Sequence, residues 1–457
     1  MDEAFDVIVI GAGPAGEVAA GKLAERGRAV ALVERELVGG ECSYWACMPS
    51  KALLRPGELF DELWRVPGVP DPERLDVDEV LHRRDEVIHQ LDDSAQMPWL
   101  EERGVTLLRG EARLIGERRL AIDRPDGDEL QCEAREAVIV ATGSGALLPP
   151  IPGLADARPW TNREATTADA VPETLLVLGG GVVGVELAQA WSSLGAHVTL
   201  IEAADRLIAR EEPFASMQVA EGLQRRGVEL RIGASATAVE RGADDRVTVA
   251  LEDGERLAGH ELLVGIGRRP RTDDLGLETV GLEPGKPLEV DDRMRVEGAP
   301  WLYAIGDVNG RAQLTHMGKY QARVAVDAIC GGERLRARGD GPTAPRAIFT
   351  DPAVAAVGHT LASAQAAGIE ARAVDRDTSG TAGASFHGRN APGTTRFVVD
   401  VERELLVGAT FVGPDVAELL HAATIAIVGE VPFATLEHAV PAFPTRSELW
   451  LDLGVPD

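Results

Sequence analysis

One pattern occurs twice in this chain and constrains its fold more than any other feature. Phe5-Asp6-Val7-Ile8-Val9-Ile10 is a short apolar, β-branched run that leads directly into Gly11-Ala12-Gly13-Pro14-Ala15-Gly16. A helical stretch from Glu17 to Arg26 follows, then a second apolar run, Ala29 to Val33, closed by Glu34. The order returns as Thr174 to Leu178, Gly179-Gly180-Gly181-Val182-Val183-Gly184, a helix from Val185 that carries Glu186, and His197 to Ile201 closed by Glu202. In each copy the first glycine (Gly11, Gly179) permits a tight turn and the second (Gly13, Gly181) lets a pyrophosphate approach the backbone. The third (Gly16, Gly184) lets helix and strand pack closely. Phosphates then sit at the helix N-terminus, where free N–H groups and the dipole favour anions. The closing acid accepts from ribose hydroxyls. Two such units predict two bound dinucleotides, which a simple dehydrogenase does not need. They point to hydride passing from a nicotinamide to a flavin.

Just past the first motif stands Gly39-Gly40-Glu41-Cys42-Ser43-Tyr44-Trp45-Ala46-Cys47-Met48-Pro49-Ser50-Lys51. If the segment begins a helix, Cys42 and Cys47 lie about a turn and a half apart. A disulfide needs Cα atoms within roughly 7 Å, so the pair can close once the first turn is distorted. A chain with only 4 cysteines in 457 residues is expected to use such a pair for redox chemistry rather than as a structural staple. The plain alternative is two adjacent buried thiols. Cys132 and Cys330 stand alone and are expected to pack. Tyr44 and Trp45 could narrow the site, stack on a flat acceptor or pack at a subunit interface.

The net charge of -28 argues against nucleic acid or an anionic membrane surface as a partner. No window of 18 apolar residues suggests a membrane span, and the apolar start is a strand within a motif rather than a leader. The expectation is a soluble, cytoplasmic protein. Glu202 should favour the free hydroxyl of NADH and repel the phosphate of NADPH, although Arg206 and Arg210 follow nearby and could accept one.

Residues 57–110 read as charged, amphipathic helical excursions. Val138 to Val140 reads as a buried strand, with Ala141-Thr142-Gly143-Ser144 as its turn, and Pro149 to Gly153 as a domain crossing. Val264 to Pro270, with Gly267, reads as a strand end returning the chain to its first domain. Ile305-Gly306-Asp307 places an aspartate after a buried strand, suited to hold a polyol hydroxyl or to N-cap the next helix. Leu314-Thr315-His316-Met317 opens that helix. From about Ala344 short strands (347–350, 353–357, 395–399, 405–412) accompany helices at 360–367 and 415–429, an α+β domain suited to subunit contact. The tail Pro441 to Glu448 is a proline-marked turn before a short helix.

Taken together, these motifs resemble the flavoprotein (pyridine nucleotide) disulfide reductase family, with dihydrolipoamide dehydrogenases and mercuric reductases as its most similar branches. The resemblance runs from end to end. It implies an α/β architecture of two Rossmann-like dinucleotide-binding domains plus a C-terminal α+β dimerisation domain. FAD would occupy 1–150 and 270–340, NAD(P)H 151–269, and the interface domain 341–457. It further implies a homodimer with active sites completed by the partner's tail, and a small-molecule electron acceptor. By position, Cys47 would face the flavin and Cys42 would be the outer thiol that attacks a substrate. Lys51 and Glu186 would be an ion pair near the flavin's reactive nitrogen. Thr315 and His316 would pass close to the flavin ring, and Glu448 would be the tail glutamate.

The tail departs from the family pattern. Members that exchange thiols and disulfides carry a histidine five residues before the glutamate as acid–base, work that typically contributes about 10²–10⁴-fold. Phe443 stands there instead. His438 is either a displaced substitute or an ordinary surface histidine. Mercury-reducing members use a carboxy-terminal cysteine pair, whereas this chain ends Leu453-Gly454-Val455-Pro456-Asp457. Two activities stay open: reduction of a disulfide or thiol-seeking metal ion at Cys42–Cys47, or reduction of a quinone-like acceptor directly at the flavin. A subunit that serves mainly in the assembly of a complex is a third reading.

Overall fold

The computed structural model describes residues 3–69, 74–341, 343–389, 391–451 and 453. Gly454 and the residues after it, read above as an end without cysteine, lie outside the described residues. The chain divides into two units, one built from residues 1–49, 85–145 and 268–342, the other from 50–84, 146–267 and 343–457.

In the first unit the strand Glu3–Ile10 runs parallel to Val30–Glu34 on one side and to Glu129–Val140 on the other. Its inner residues Val7, Ile8 and Val9 are fully buried. That suits a strand covered on both faces and explains its unbroken apolar run. Ala299–Ala304 and Thr106–Arg109 extend the parallel sheet at its two ends. Thr106–Arg109 corrects the reading of 57–110 as helical throughout. Its apolar pair Leu107-Leu108 registers on Leu32 and Val33, so tertiary pairing overrode the local helical pattern. The helix Pro14–Glu25 leaves the glycine turn and packs beside the helix Thr315–Ile329.

In the second unit the strands Thr174–Leu178, His197–Glu202, Glu229–Ile232 and Glu261–Val264 form a parallel sheet. The helix Val182–Ser193 follows the second glycine turn, with Trp191 fully buried at the centre of the core. A separate five-stranded antiparallel sheet occupies 346–413. Its strands Arg346–Ile348, Ala353–Gly358, Thr394–Asp400 and Leu405–Gly413 match the expected ones to within two residues. The edge strand Ala371–Asp377 was not foreseen, because its alternating charges hide the period. The expected helix at 415–429 is a 3₁₀ turn, Val416–Leu419, followed by Leu420–Val428.

Among the described residues no helix is long and apolar enough to cross a membrane.

Candidate active site

The first glycine turn is shaped by its backbone. Gly11 has φ +99°, a region that disfavours side chains. A Cβ on Gly16 would lie 1.9 Å from the Gly11 carbonyl oxygen, whereas one on Gly13 would meet only open space. The helix therefore sits against the strand, and the middle glycine faces a free volume above the helix N-terminus. Glu34 closes the motif by accepting from the Ala12 and Glu36 backbone N–H groups, both at 2.7 Å. At the other side of this region Asp307 accepts from the Ser144 hydroxyl at 2.6 Å. Burial pushes its carboxyl upward, against the pull of Ser144 and Arg268. Asp307 does not N-cap the following helix. It lies inside a short 3₁₀ turn, Gly306–Asn309, and the helix Thr315–Ile329 is preceded by Leu314.

The cysteine segment is docked on the same motif. Gly39 donates to the Ala12 carbonyl at 2.8 Å, and a Cβ on Gly40 would come within 2.8 Å of the Gly13 Cα. The pair does not share one helix. Cys42 lies in the short helix Gly40–Tyr44, Trp45 breaks it, and Cys47 opens the helix Cys47–Arg65. Both cysteines are thiols. The Thr315 hydroxyl donates to Cys42 Sγ at 3.0 Å and lies 3.4 Å from Cys47 Sγ, so one hydroxyl bridges both sulfurs. A hydrogen bond with Cys47, together with burial, pushes the Cys42 thiol up and keeps it protonated, against the pull of Thr315 and Lys319. His316, beside Thr315, is exposed.

Sequence reasoning missed the frame around this pair. Glu41, between the glycines and Cys42, accepts from Arg271 at 2.8 Å. Arg271 donates its backbone N–H to Gly143 at 3.0 Å, and Thr142 donates its hydroxyl to the Arg271 carbonyl at 2.8 Å. Arg271, directly after Gly267-Arg268-Arg269-Pro270, thus braces both the thiol loop and the Ala-Thr-Gly turn. An acid directly before Cys42 and a cluster of arginines at 268–271 were the only signals available for it. Tyr44 is buried and donates to the Val38 carbonyl at 3.0 Å, so it packs inside its own unit rather than at an interface or against an acceptor. Cys132 is buried in the sheet core, and Cys330 packs at the end of its helix.

Glu17 also escaped the sequence reading. Burial, with Glu34 adding repulsion and Lys319 opposing, pushes its carboxyl up to about 7. The fold therefore prefers the protonated form. This contribution to stability is fully present below the ordinary value of 4.5 and is lost as pH rises toward 7. Glu17→Gln is expected to stabilise the protein at pH 8 by about 1–3 kcal/mol and to have little effect at pH 4. Unfolding of wild type and variant at both pH values checks the sign.

The second unit holds the other candidates. Gly179 has φ +106°, and a Cβ on Gly184 would lie 1.8 Å from its carbonyl oxygen. Gly181 is open except for one atom at 3.9 Å. Glu202 accepts from Gly180 at 2.5 Å and from Ala204 at 2.6 Å, the same closure as at Glu34. Gly267 donates no side chain and accepts, through its carbonyl, from Leu147 at 3.0 Å. Lys51 donates to Glu186 at 2.7 Å. Glu186 is buried and also accepts from the Phe349 N–H at 2.9 Å, while the Lys51 ammonium sits 4.8 Å from the Phe349 ring centre. Glu448 accepts from Thr445, Ala382 and Gly383 backbone N–H groups at 2.9–3.3 Å. Phe443 and His438 are both exposed.

Two dinucleotide-type glycine turns and a vicinal pair of thiols under one hydroxyl define a class: oxidoreductases that couple a nicotinamide, a flavin and a dithiol. The family model for pyridine nucleotide-disulphide oxidoreductase matches residues 5–322, and that for the dimerisation domain of the same proteins matches residues 344–453. The chain belongs to the pyridine nucleotide-disulphide oxidoreductase family. It is 33% identical to dihydrolipoyl dehydrogenase 3 of Pseudomonas aeruginosa, covering 98% of this chain and 97% of that protein. It is 34% identical to a mercuric reductase of Acidithiobacillus ferrooxidans, over 92% of this chain and 77% of that one. The Cu(II) complex of RclA, an HOCl-induced flavoprotein disulfide reductase from Escherichia coli, superposes with a TM-score of 0.87 at 25% identity, over 99% of both chains. The protein is an FAD-dependent pyridine nucleotide-disulfide oxidoreductase that binds NAD(H). The free volume over Gly13, the closed Glu34 and the half-buried Asp307 fit the pyrophosphate and hydroxyls of FAD.

Proposed function

We propose that this enzyme uses NADH to reduce a thiol-seeking metal ion at Cys42–Cys47. The observation that carries the reading is the Thr315 hydroxyl, which reaches both sulfurs at 3.0 and 3.4 Å and so holds them as one two-sulfur site. FAD, when bound, would supply the hydride-accepting ring that lets NADH reopen the disulfide to two thiols. The two thiols then release their protons as both sulfurs bind the ion. An electron pair passes to the metal as the disulfide closes, giving one M(0) from M(II), or two Cu(I) from two Cu(II).

The tail favours a metal over a disulfide. Reducing a disulfide must deliver a proton to a leaving thiolate, the work of the absent histidine. Reducing a metal ion needs no proton delivered. Phe443, exposed at 79%, cannot carry one. The relatives named as a mercuric reductase and as a Cu(II) complex are consistent with that acceptor class. A disulfide acceptor remains the second reading, since relatives named dihydrolipoyl dehydrogenase match over almost the whole chain.

We assign FAD to 1–150 and 270–340, the nicotinamide to 151–269, and subunit contact to 341–457. Lys51 and Glu186 are assigned to tuning hydride transfer, and Glu448 to fixing the tail through its three backbone contacts. Phe386, Ile425, Val440 and Phe443 are exposed apolar side chains within the dimerisation segment, which supports a homodimer.

NADH is the assigned donor. The Glu202 carboxylate stands where a 2′-phosphate would need a cation. Arg206 is occupied by the Ala209 and Glu211 carbonyls at 2.6 and 2.9 Å. Glu202→Arg is expected to lower the NADH-to-NADPH ratio of kcat/KM at least about tenfold, measured by steady-state kinetics with both nucleotides.

The acceptor is tested anaerobically with NADH and, in turn, Hg(II), Cu(II), lipoamide and a quinone. Metal-dependent NADH oxidation, with the cysteine pair cycling into titratable thiols, supports the reading. Turnover with quinone alone, the thiols staying closed, would overturn it.

A further inference from the structure

A second cluster of metal-type donors lies in the second unit, built by residues that the redox chemistry does not use. Glu62 stands in the last turn of the helix Cys47–Arg65, His387 ends the 3₁₀ turn Gly383–His387, and Asp415 follows the strand Leu405–Gly413. One donor atom from each lies within 4.8 Å of the other two. His387 Nδ1 is 3.4 Å from Asp415 Oδ2. The three line a small cavity of about 10 Å³ together with Glu58, Asp351 and the one cationic side chain of the lining, Arg65, room for one water or one ion.

The local charge also asks for a cation. Asp351 is paired with Arg65 and Arg226, and Glu58 with Arg55. Among the described residues neither Glu62 nor Asp415 forms an ion pair with lysine or arginine. Arg55 contributes longer-range fields at Glu62 and at Asp415, and Arg446 one at Asp415. Two carboxylates brought this close on separate elements repel, and an imidazole between them donates to at most one through each nitrogen.

We propose that Glu62, His387 and Asp415 form a site for one divalent cation of the Mn(II)–Zn(II) class. One imidazole and two carboxylates without a thiolate suit a hard-to-borderline ion, with water completing the shell. Ligands at about 2.0–2.2 Å from a shared ion lie at most about 4.4 Å apart. That limit is for ligands opposite each other, and tetrahedral neighbours lie about 3.4 Å apart, so the exposed Asp415 and half-buried Glu62 close the 4.8 Å spread by moving inward by about 0.5–1.5 Å. The bound ion would clip the end of the helix that carries Lys51 to the dimerisation segment. This site is separate from the sulfur pair, and it differs in chemistry from the acceptor proposed there.

The test uses the FAD-loaded, oxidised enzyme, in which the cysteine pair is closed and cannot bind metal. After removal of adventitious ions by chelator, Mn(II) binding is read from loss of the free-ion EPR signal, with Zn(II) as competitor. One saturable Mn(II) per chain, displaced by Zn(II), is expected. H387Q, E62Q and D415N are each expected to weaken it at least tenfold, and asparagine keeps Asp415's left-handed backbone accessible (φ +51°). Asp253→Asn, on a distant surface turn, should leave it unchanged. Binding in the wild type no stronger than diffuse surface binding, or equal binding in all four variants, would overturn the site.

Discussion

Replacing Cys42 by serine is expected to cut metal-ion turnover at least about 10²-fold while FAD content and NADH affinity stay intact. The serine hydroxyl is close in size and can still accept from Thr315, so the loop should hold its shape. It cannot form a disulfide or bind a soft ion through sulfur. Because Glu41, Gly39 and Tyr44 anchor the segment through other atoms, the loss should fall on kcat rather than on folding. Steady-state kinetics beside a visible spectrum of the same sample separates the two effects. Undiminished metal-ion turnover would move the chemistry away from the sulfur pair.

The largest loss of stability is expected from Asp351→Ala, about 3–5 kcal/mol. Asp351 is buried at 5% exposure and receives both Arg65 and Arg226, the latter at 2.9 Å. Arg226 also holds Asp61. Without Asp351, Arg65 loses its carboxylate and Arg226 loses one of its two, in a site where both are largely shielded from water. A guanidinium left buried without its partner costs more than the pair was worth. The loss should extend to function through displacement of the segment, since the 351 backbone N–H, which alanine keeps, donates to Gln189 at 2.7 Å and the nearby Phe349 N–H holds Glu186. Both acceptors lie on the helix Val182–Ser193. Denaturant unfolding measures the first effect, and the NADH half-reaction rate measures the second. A midpoint unchanged from wild type would show that water satisfies the two arginines.

Much of the fold was legible because its determinants are short-range. A glycine needed at φ +99°, or a helix packed so closely that a Cβ on Gly16 would fall 1.9 Å from a carbonyl oxygen, leaves its mark in the residue itself, twice over. Buried parallel strands show as unbroken apolar runs, and a carboxylate closing such a strand can be read at Glu34 and Glu202 alike. The Cys42–Cys47 spacing pointed to a redox pair, and Phe443 could be read at the tail position where a histidine was expected. Those properties belong to segments of a dozen residues or fewer, where sterics and hydrogen bonding act within the segment.

What only the tertiary structure decided are contacts between residues far apart in sequence, to which no local pattern points. Nothing around Thr315 foretells that its hydroxyl would bridge two sulfurs 268 and 273 residues away. Asp307, locally a good helix cap, was taken instead by Ser144, because the sheet brings their strand ends together. Thr106–Arg109 became a strand because Val30–Glu34 offered an open edge to pair with. No local pattern marks Arg65, Arg226, Asp61 and Asp351 as one network, which forms only where folding shields them from water. Glu62, His387 and Asp415 likewise meet only because a helix end, a 3₁₀ turn and a strand end converge. Charge pairing across such distances is set by which surfaces pack, and packing is a property of the whole chain.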